Sequence, residues 1–360
     1  MPAPALESPT SPYPLRPQGQ RGEREGSGLI SEPPAVEVED LSVRFRLRDR
    51  VIHAVNGVSF SLASGEVLGI LGESGSGKSV TLRALMRLLP DNCDIAGHVR
   101  LGGEELNGAS AARLERLRGR QIAMIFQEPM TALDPVFTIG AQIAEAIVRH
   151  EGLSRRDARR RALELLERVQ IPSARRRLDS YPHEMSGGMR QRAMIAVALS
   201  CNPKVLLADE PTTALDVTVQ IQILLLLREL QRELGMAVVF VTHDVGAAVE
   251  ISDRLAVMYG GRFVETGDVR QIMRNAAHPY TRGLLAANLH GIAPGTRLTT
   301  IPGAPPNLAA LPPGCSFAPR CACALPACAT APPPAISLGG GHLAHCLRTT
   351  APEPALTPPA

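Results

Sequence analysis

Apolar and polar positions change their period along this chain, and each change marks an element. From Val36 the stretch "VEVEDLSVRF" alternates apolar and polar, as a half-buried strand does. "VSFSL" and "VLGIL" follow as short apolar strands bounded by Gly or Ser. From about 128 to 203 the period lengthens to that of a helix. In "RRDARRRALELLERVQI" Leu163, Leu166 and Val169 share one stripe and arginines take the other faces. Two continuous apolar strands come next, "KVLLADE" and "AVVFVTHD", separated by the helical text "VQIQILLLLRELQREL". Apolar strands alternating with helices predict an α/β fold whose parallel sheet is covered on both faces, with residues 128–203 as an inserted helical subdomain.

The ends of the chain read differently. Residues 1–35 are Pro, Ser, Gly and charge with little apolar content, which predicts a disordered tail, and 351–360 is expected to be a second one. The main domain is expected over 36–290. Residues 291–350 form a Pro-, Ala- and Gly-rich extension that holds five of the seven cysteines. With 44% hydrophobic residues among 360, the chain has ample material for a core. A net charge of +3, from 38 basic and 35 acidic residues, offers no basic field for a nucleic acid backbone. The arginines of 155–161 have no interleaved aromatics and read as a solvated helix face. The longest aliphatic run, Ile221 to Leu227, is interrupted by Gln222 and falls short of the roughly 20 apolar residues that cross a bilayer. No apolar h-region appears near the N-terminus, so the expected location is the cytosol, where thiols stay reduced. Cys93 and Cys201 stand alone and read as small buried hydrophobes.

Candidate chemistry lies at strand ends. "GESGSGKS", Gly72 to Ser79, follows the strand "VLGIL" and opens the helical text "VTLRALMRLL", which is the context of a phosphate-binding loop. Its glycines let backbone N–H groups wrap phosphates, and the helix N-terminus adds its positive dipole end. Lys78 supplies a point charge to the outer phosphates, and Ser79 offers a hydroxyl to Mg²⁺. Asp209 closes the strand "VLLAD" and is placed to hold that Mg²⁺, while the adjacent Glu210 suits a base that activates water. Two neighbouring carboxylates have no packing reason to end an apolar strand.

Further motifs bring a resemblance. "SGGMRQR" at 186–192, Gln127 in "MIFQEP", "ALD" at 214–216 and His243 in "VTHD" resemble, in order and spacing, the signature, Q-loop, D-loop and switch histidine of the ATP-binding cassette family. Phe45 stands where that family stacks an aromatic on adenine. The resemblance covers roughly 36–265. It implies a P-loop ATPase with a mixed sheet on a RecA-like core plus a helical subdomain. It also implies ATP held by Phe45, Gly72, Ser74, Gly75, Ser76, Gly77, Lys78, Ser79 and Val80. Ser186, Gly187 and Gly188 would come from across a dimer, Asp216 would also bind the nucleotide, and Mg²⁺ would be held by Ser79, Asp209 and Gln127. Glu210, His243 and Gln127 would be catalytic. Met189 departs from the usual final Gln of the signature.

"YPHEMSGGMRQR", "DEPTTALDVTVQIQIL", "QEPMTALDPVFTIG" and "HPYTRGLL" narrow the resemblance to the D-type ATPase subunits of bacterial dipeptide and oligopeptide importers. That group includes nickel and glutathione systems. The expected partners are an F-type sister ATPase, two membrane permeases and, indirectly, an extracytoplasmic binding protein, with no nucleic acid. The expected place is the cytoplasmic face of the inner membrane. The alternative outside transport is a soluble ABC ATPase acting on nucleic acid.

Cys315, Cys321, Cys328 and Cys346 match four cysteines of the importer ATPases' C-terminal module, with Cys323 a bystander. In a segment short of apolar material, bound metal could replace a core. Three readings stand open: a [4Fe–4S] cluster, Zn²⁺, or metal-free thiols or a disulfide. His342 reads either as a spare ligand or as a solvent-exposed side chain.

Overall fold

The computed structural model describes residues 33–287 and 300–350. Residues 1–32, 288–299 and 351–360, which include most of the first expected tail and all of the second, lie outside the described residues. The alternating stretch forms β1 (Val36–Arg46), which pairs antiparallel with β2 (Val51–Leu62). β3 (Val67–Leu71) is buried along its whole length and leads into α1 (Lys78–Leu85). β4 (Cys93–Leu101) and the short β5 (Glu104–Glu105) complete a four-stranded sheet in the order β2-β1-β4-β5. α2 (Ala111–Leu117) and β6 (Ile122–Ile125) follow.

The helical stretch holds α3 (Pro129–Ala132), α4 (Ile139–Glu151), α5 (Arg155–Arg168), α6 (Ala174–Arg177) and α7 (Gly187–Ala198). Ser154 caps α5, its hydroxyl accepting from the Asp157 N–H. The buried face of α5 is Ala158, Ala162, Leu165 and Leu166, continued by Val169, and Leu163 packs at its margin. Its arginines face carboxylates: Arg159 pairs with Asp179, Arg160 with Asp157, and Arg161 with Glu151. That pairing is what a solvated helix face makes.

β7 (Val205–Asp209), α8 (Val217–Leu234), β8 (Ala237–Thr242), α9 (Val245–Ile251), β9 (Arg254–Tyr259) and β10 (Arg262–Asp268) complete the core, with α10 (Val269–Asn275) and α11 (Pro279–Ala286) behind it. The main sheet has eight strands in the order β11-β12-β10-β9-β3-β8-β7-β6, and β9, β3, β8, β7 and β6 are parallel. β3, β7 and β8 carry no exposed position, which is why their text is apolar without alternation. Among the described residues, no helix is long and apolar enough to cross a membrane.

The extension departs from expectation. β11 (Ile336–Gly339) and β12 (His342–Ala344) add antiparallel strands to the edge of β10, so the extension continues the main sheet. Its Phe317, buried, enters an aromatic cluster with Tyr259 at 5.2 Å, Tyr280 at 5.4 Å and His278 at 5.8 Å between ring centroids. A segment short of apolar residues therefore shares the main domain's core. His342 is neither exposed nor a spare ligand. It is buried, and its Nε2 lies 2.7 Å from Oε1 of the fully buried Glu265. The backbone N–H groups of Ala277 and His278 also donate to that carboxylate, at 2.7 and 2.9 Å. A buried carboxylate needs these donors, which is the physical reason the imidazole is drawn inward.

His278 caps α11, its Nδ1 accepting from the Tyr280 N–H at 3.1 Å, and burial pushes the imidazole down to about 3. The unfolded chain takes up that proton near the ordinary value of 6.5, so the folded state loses stability as pH falls from there toward 3. His278→Asn keeps a cap acceptor without titrating. Urea unfolding at about pH 7 and about pH 5 should show the wild type losing up to about 2 kcal/mol more than the variant.

Candidate functional site

The parallel strands β3, β7 and β8 end side by side, and the chemistry-bearing residues sit where they end. After Leu71 the chain passes through Gly72 to Gly77. A Cβ on Gly77 would lie 2.4 Å from the Ala54 carbonyl oxygen, and its φ of 106° is left-handed. A Cβ on Gly72 would lie 2.3 Å from the Met258 carbonyl. The loop therefore lies flat on its neighbours, and α1 begins directly at Lys78.

Lys78 is buried, its Nζ donating to the Gly72 carbonyl at 2.8 Å and the Glu73 carbonyl at 2.9 Å. It lies 3.8 Å from Glu210 Oε1. Burial lowers the ammonium from its ordinary value, with Glu210, Asp209 and Glu73 pulling the other way. The Ser79 hydroxyl donates to Asp209 Oδ1 at 2.6 Å. Asp209 is almost fully buried and its Oδ2 has no partner. Burial pushes this carboxyl up, and the Ser79 hydrogen bond opposes the shift. An orphaned buried carboxylate oxygen beside a serine hydroxyl is a hard-oxygen donor set, so these two residues fit Mg²⁺.

Glu210 leaves β7 with a φ of 44°, a left-handed turn that takes its side chain from the strand ladder to the cleft. Its Oε2 accepts from Thr213 Oγ1 at 3.0 Å and Gln127 Nε2 at 3.3 Å, and His243 Nδ1 lies 3.1 Å away. Gln127 and His243, both expected at the site, thus meet on one carboxylate oxygen of Glu210. Gln127 reaches Glu210 and not the Ser79–Asp209 pair.

Gln127, Glu210, Thr213 and His243 line one cleft of about 850 Å³ with Phe45, Ile52 and Ala54, whereas Asp209 lies outside its lining. Gly72, Ser74, Gly75, Gly77, Lys78, Ser79 and Val80 line it as well. Ser76 does not: its hydroxyl is buried beneath the loop, unpartnered. Ser186, Gly187 and Gly188 open α7 away from the cleft, with Ser186 Oγ accepting from the Met189 N–H at 3.4 Å. Asp216 caps α8 by accepting from the Val219 N–H at 2.9 Å and is also outside the lining. Within one chain, then, two sets of residues expected at the nucleotide stay apart.

Sequence reasoning passed over Thr213, Glu73, Leu284 and Leu308, which also line the cleft. Thr213 had a signal, since it stands three residues after Glu210 in the same turn. Leu308 had none, because it comes from the extension.

Residues 55–213 match the family described as ABC transporter, and 264–328 match the oligopeptide/dipeptide transporter C-terminal region. A Brucella abortus (strain 2308) protein, provisionally named a peptide import ATP-binding protein, is 52% identical over 318 residues, 88% of this chain and 96% of its own. The chain belongs to the ABC transporter family. A Brucella ovis relative with the same provisional name is 50% identical over 332 residues, 89% of this cassette chain and 98% of its own. An ATP-binding cassette solved as a dimer in a post-hydrolysis state with ADP and Pi superposes with a TM-score of 0.59. It is 30% identical and covers 65% of this chain and 99% of its own. CbiO1 of Clostridium perfringens, part of an ABC transporter complex, gives a TM-score of 0.58 at 28% identity, over 68% of this chain and 92% of its own.

The described residues give no support to the metal ligation implied for the cassette's cysteines. Cys328 and Cys346 are buried, and Cys315 and Cys321 pack half-buried against the aromatic cluster. Yet among the described residues no group of three or more His, Cys, Asp or Glu is placed to hold a metal ion. All seven cysteines are free thiols. Burial pushes the thiols of Cys315 and Cys346 up, and that of Cys321 up to about 11, so they pack as neutral apolar groups. The Arg348 Nε donates to the Cys323 carbonyl at 2.8 Å, which makes that residue's backbone, not its thiol, the structural contact.

Asp209→Asn removes a buried charge and keeps an acceptor for Ser79. Electron paramagnetic resonance with Mn²⁺ as the probe should show binding weakened about tenfold or more, while thermal unfolding shows no loss of stability.

Proposed function

We propose that this cassette is the ATP-hydrolysing subunit of a peptide importer, seated on the cytoplasmic face of the cell membrane. The observation that carries the reading is Glu210. Its carboxylate stands 3.8 Å from the phosphate-loop lysine and its Oε2 is met by Thr213, Gln127 and His243. A carboxylate so oriented, beside a phosphate cradle, suits abstraction of a proton from a water attacking a phosphoryl group. The peptide substrate class rests on the provisional names of the relatives and on the match at 264–328.

The steps follow from the side chains present. ATP would stack its base against Phe45 and lay its phosphates along residues 72–79. Lys78 would exchange its bonds to the Gly72 and Glu73 carbonyls for phosphate oxygens, bringing its charge to the group transferred. Ser79 and Asp209 would hold Mg²⁺, which when bound neutralises developing phosphoryl charge. Glu210 would take the proton of the attacking water. His243 can orient that water through its contact with Glu210. Gln127, exposed at the start of the helical subdomain and bonded to Glu210, would relay the state of the site to that subdomain.

Ser186, Gly187, Gly188 and Asp216 lie outside their own cleft, which favours a cycle between two subunits. Each signature helix N-terminus would close on the other subunit's nucleotide. We take the partner to be an F-type sister ATPase, with two permeases above the pair and an extracytoplasmic binding protein delivering the solute. ATP binding would close the pair and hydrolysis would reopen it.

Glu210→Gln should lower phosphate release by about a hundredfold or more while retaining ATP binding, leaving an ATP-loaded dimer visible by size exclusion. Turnover within a few-fold of wild type would remove Glu210 from the role of base.

A further inference from the structure

The side chain of Glu73, the second residue of the phosphate loop, takes no part in the chemistry above, yet its carboxylate is gripped from the far end of the chain. Arg320 of the extension donates from Nη1 to Glu73 Oε2 at 2.8 Å and from Nη2 to Oε1 at 3.2 Å. Its other donors go to the Tyr259 hydroxyl at 3.2 Å, the Ile301 carbonyl at 3.2 Å and, from Nε, the Pro302 carbonyl at 2.7 Å. A guanidinium has five N–H donors, and here each has an acceptor. The Arg320 side chain is only 6% exposed, and its guanidinium carbon lies 5.7 Å from the centroid of the Tyr259 ring and 5.9 Å from that of Phe317.

The backbone of Glu73 is pinned too. Its N–H donates to the hydroxyl of the buried Tyr280 at 2.9 Å, and its carbonyl accepts from Lys78 Nζ. Side chain, N–H and carbonyl of one loop residue thus join the extension, the aromatic cluster and the phosphate-binding lysine. At the other end of the cleft, Leu308 of the extension shares the lining with Phe45 and Ile52. Its carbonyl accepts from the His53 N–H at 2.9 Å.

We propose that Arg320 is a positioning residue of the nucleotide site, holding the phosphate loop in its binding geometry through Glu73. ATP affinity would thereby depend on the docked C-terminal extension. The inference rests on the ATPase reading. A bidentate, fully satisfied arginine is the arrangement that fixes a loop's position, since its fork specifies direction as well as charge. Mere docking of the extension is already served by β12 on β10 and by Phe317 in the aromatic cluster.

The test uses the full chain and titration with a fluorescent ATP analogue in the presence of Mg²⁺. Arg320→Met keeps an apolar stem over Tyr259 and Phe317 but no donors, and Glu73→Gln keeps the loop's shape without its charge. Each should raise Kd, and KM for ATP in parallel, about tenfold or more, the scale of losing a hydrogen-bonded charge. The double variant should bind no worse than the weaker single, and Arg320→Lys should fall between. Kd within twofold of wild type in folded Arg320→Met and Glu73→Gln, whatever their Tm, would overturn the inference and leave Arg320 a staple of the extension. Should Arg320→Met lose its native circular dichroism, Glu73→Gln decides by the same threshold. Wild-type protein that binds no ATP overturns the ATPase reading and this inference together, whereas wild-type binding with unaltered variants overturns this inference alone.

Discussion

β3, β7 and β8 run parallel and lie buried along their whole length, so a polar side chain has no place on them until the strand ends. Because they are parallel and adjacent, all three reach that point on the same edge of the sheet. Residues 72–79, Asp209, Glu210 and His243 are brought together by this one constraint, although up to 171 positions separate the first of them from the last. Backbone hydrogen bonds between apolar strands set the distances, and the side chains inherit them.

Electrostatics then sort the residues at that edge. Lys78, Asp209 and Glu210 are held in or near a low-dielectric environment, where each ion is costly alone and favourable beside its opposite. Asp209 stays inside the strand and keeps one oxygen free beside Ser79. Glu210 turns out through a left-handed backbone and gathers its hydrogen-bonding partners. Adjacent carboxylates thereby acquire different surroundings, one buried with an oxygen left without a partner beside Ser79 and the other turned to the cleft.

The extension obeys the same economy of apolar surface. It has few large hydrophobics of its own, and it folds by adding strands to an existing sheet edge and by placing Phe317 among Tyr259, Tyr280 and His278. Its Cys315 and Cys321 pack beside that cluster. Attachment by sheet and core carries Leu308 into the lining of the cleft and Arg320 onto Glu73, so a segment that looks peripheral in the chain borders the candidate site.

Much was legible in the sequence because the signals are local. The unbroken apolar text of "VLLAD" and "AVVFVT", the Gly-rich turn between a strand and a helix, and the carboxylates closing a strand each depend on neighbours a few residues away. Hence the α/β class, the run of helices between β6 and β7, the glycine-rich turn after β3 and the place of Asp209 and Glu210 at a strand end could be read directly. The fate of the cysteines, the inward turn of His342 onto Glu265 and the grip of Arg320 on Glu73 could not. Those contacts join residues 77 and 247 positions apart, or require a converging geometry that spacing alone does not reveal. "PGCSFAPRCACALPAC" states which residue types are available. Only the edge of β10 and the aromatic cluster decide where they stand, because burial against a distant surface, not local periodicity, selects their partners.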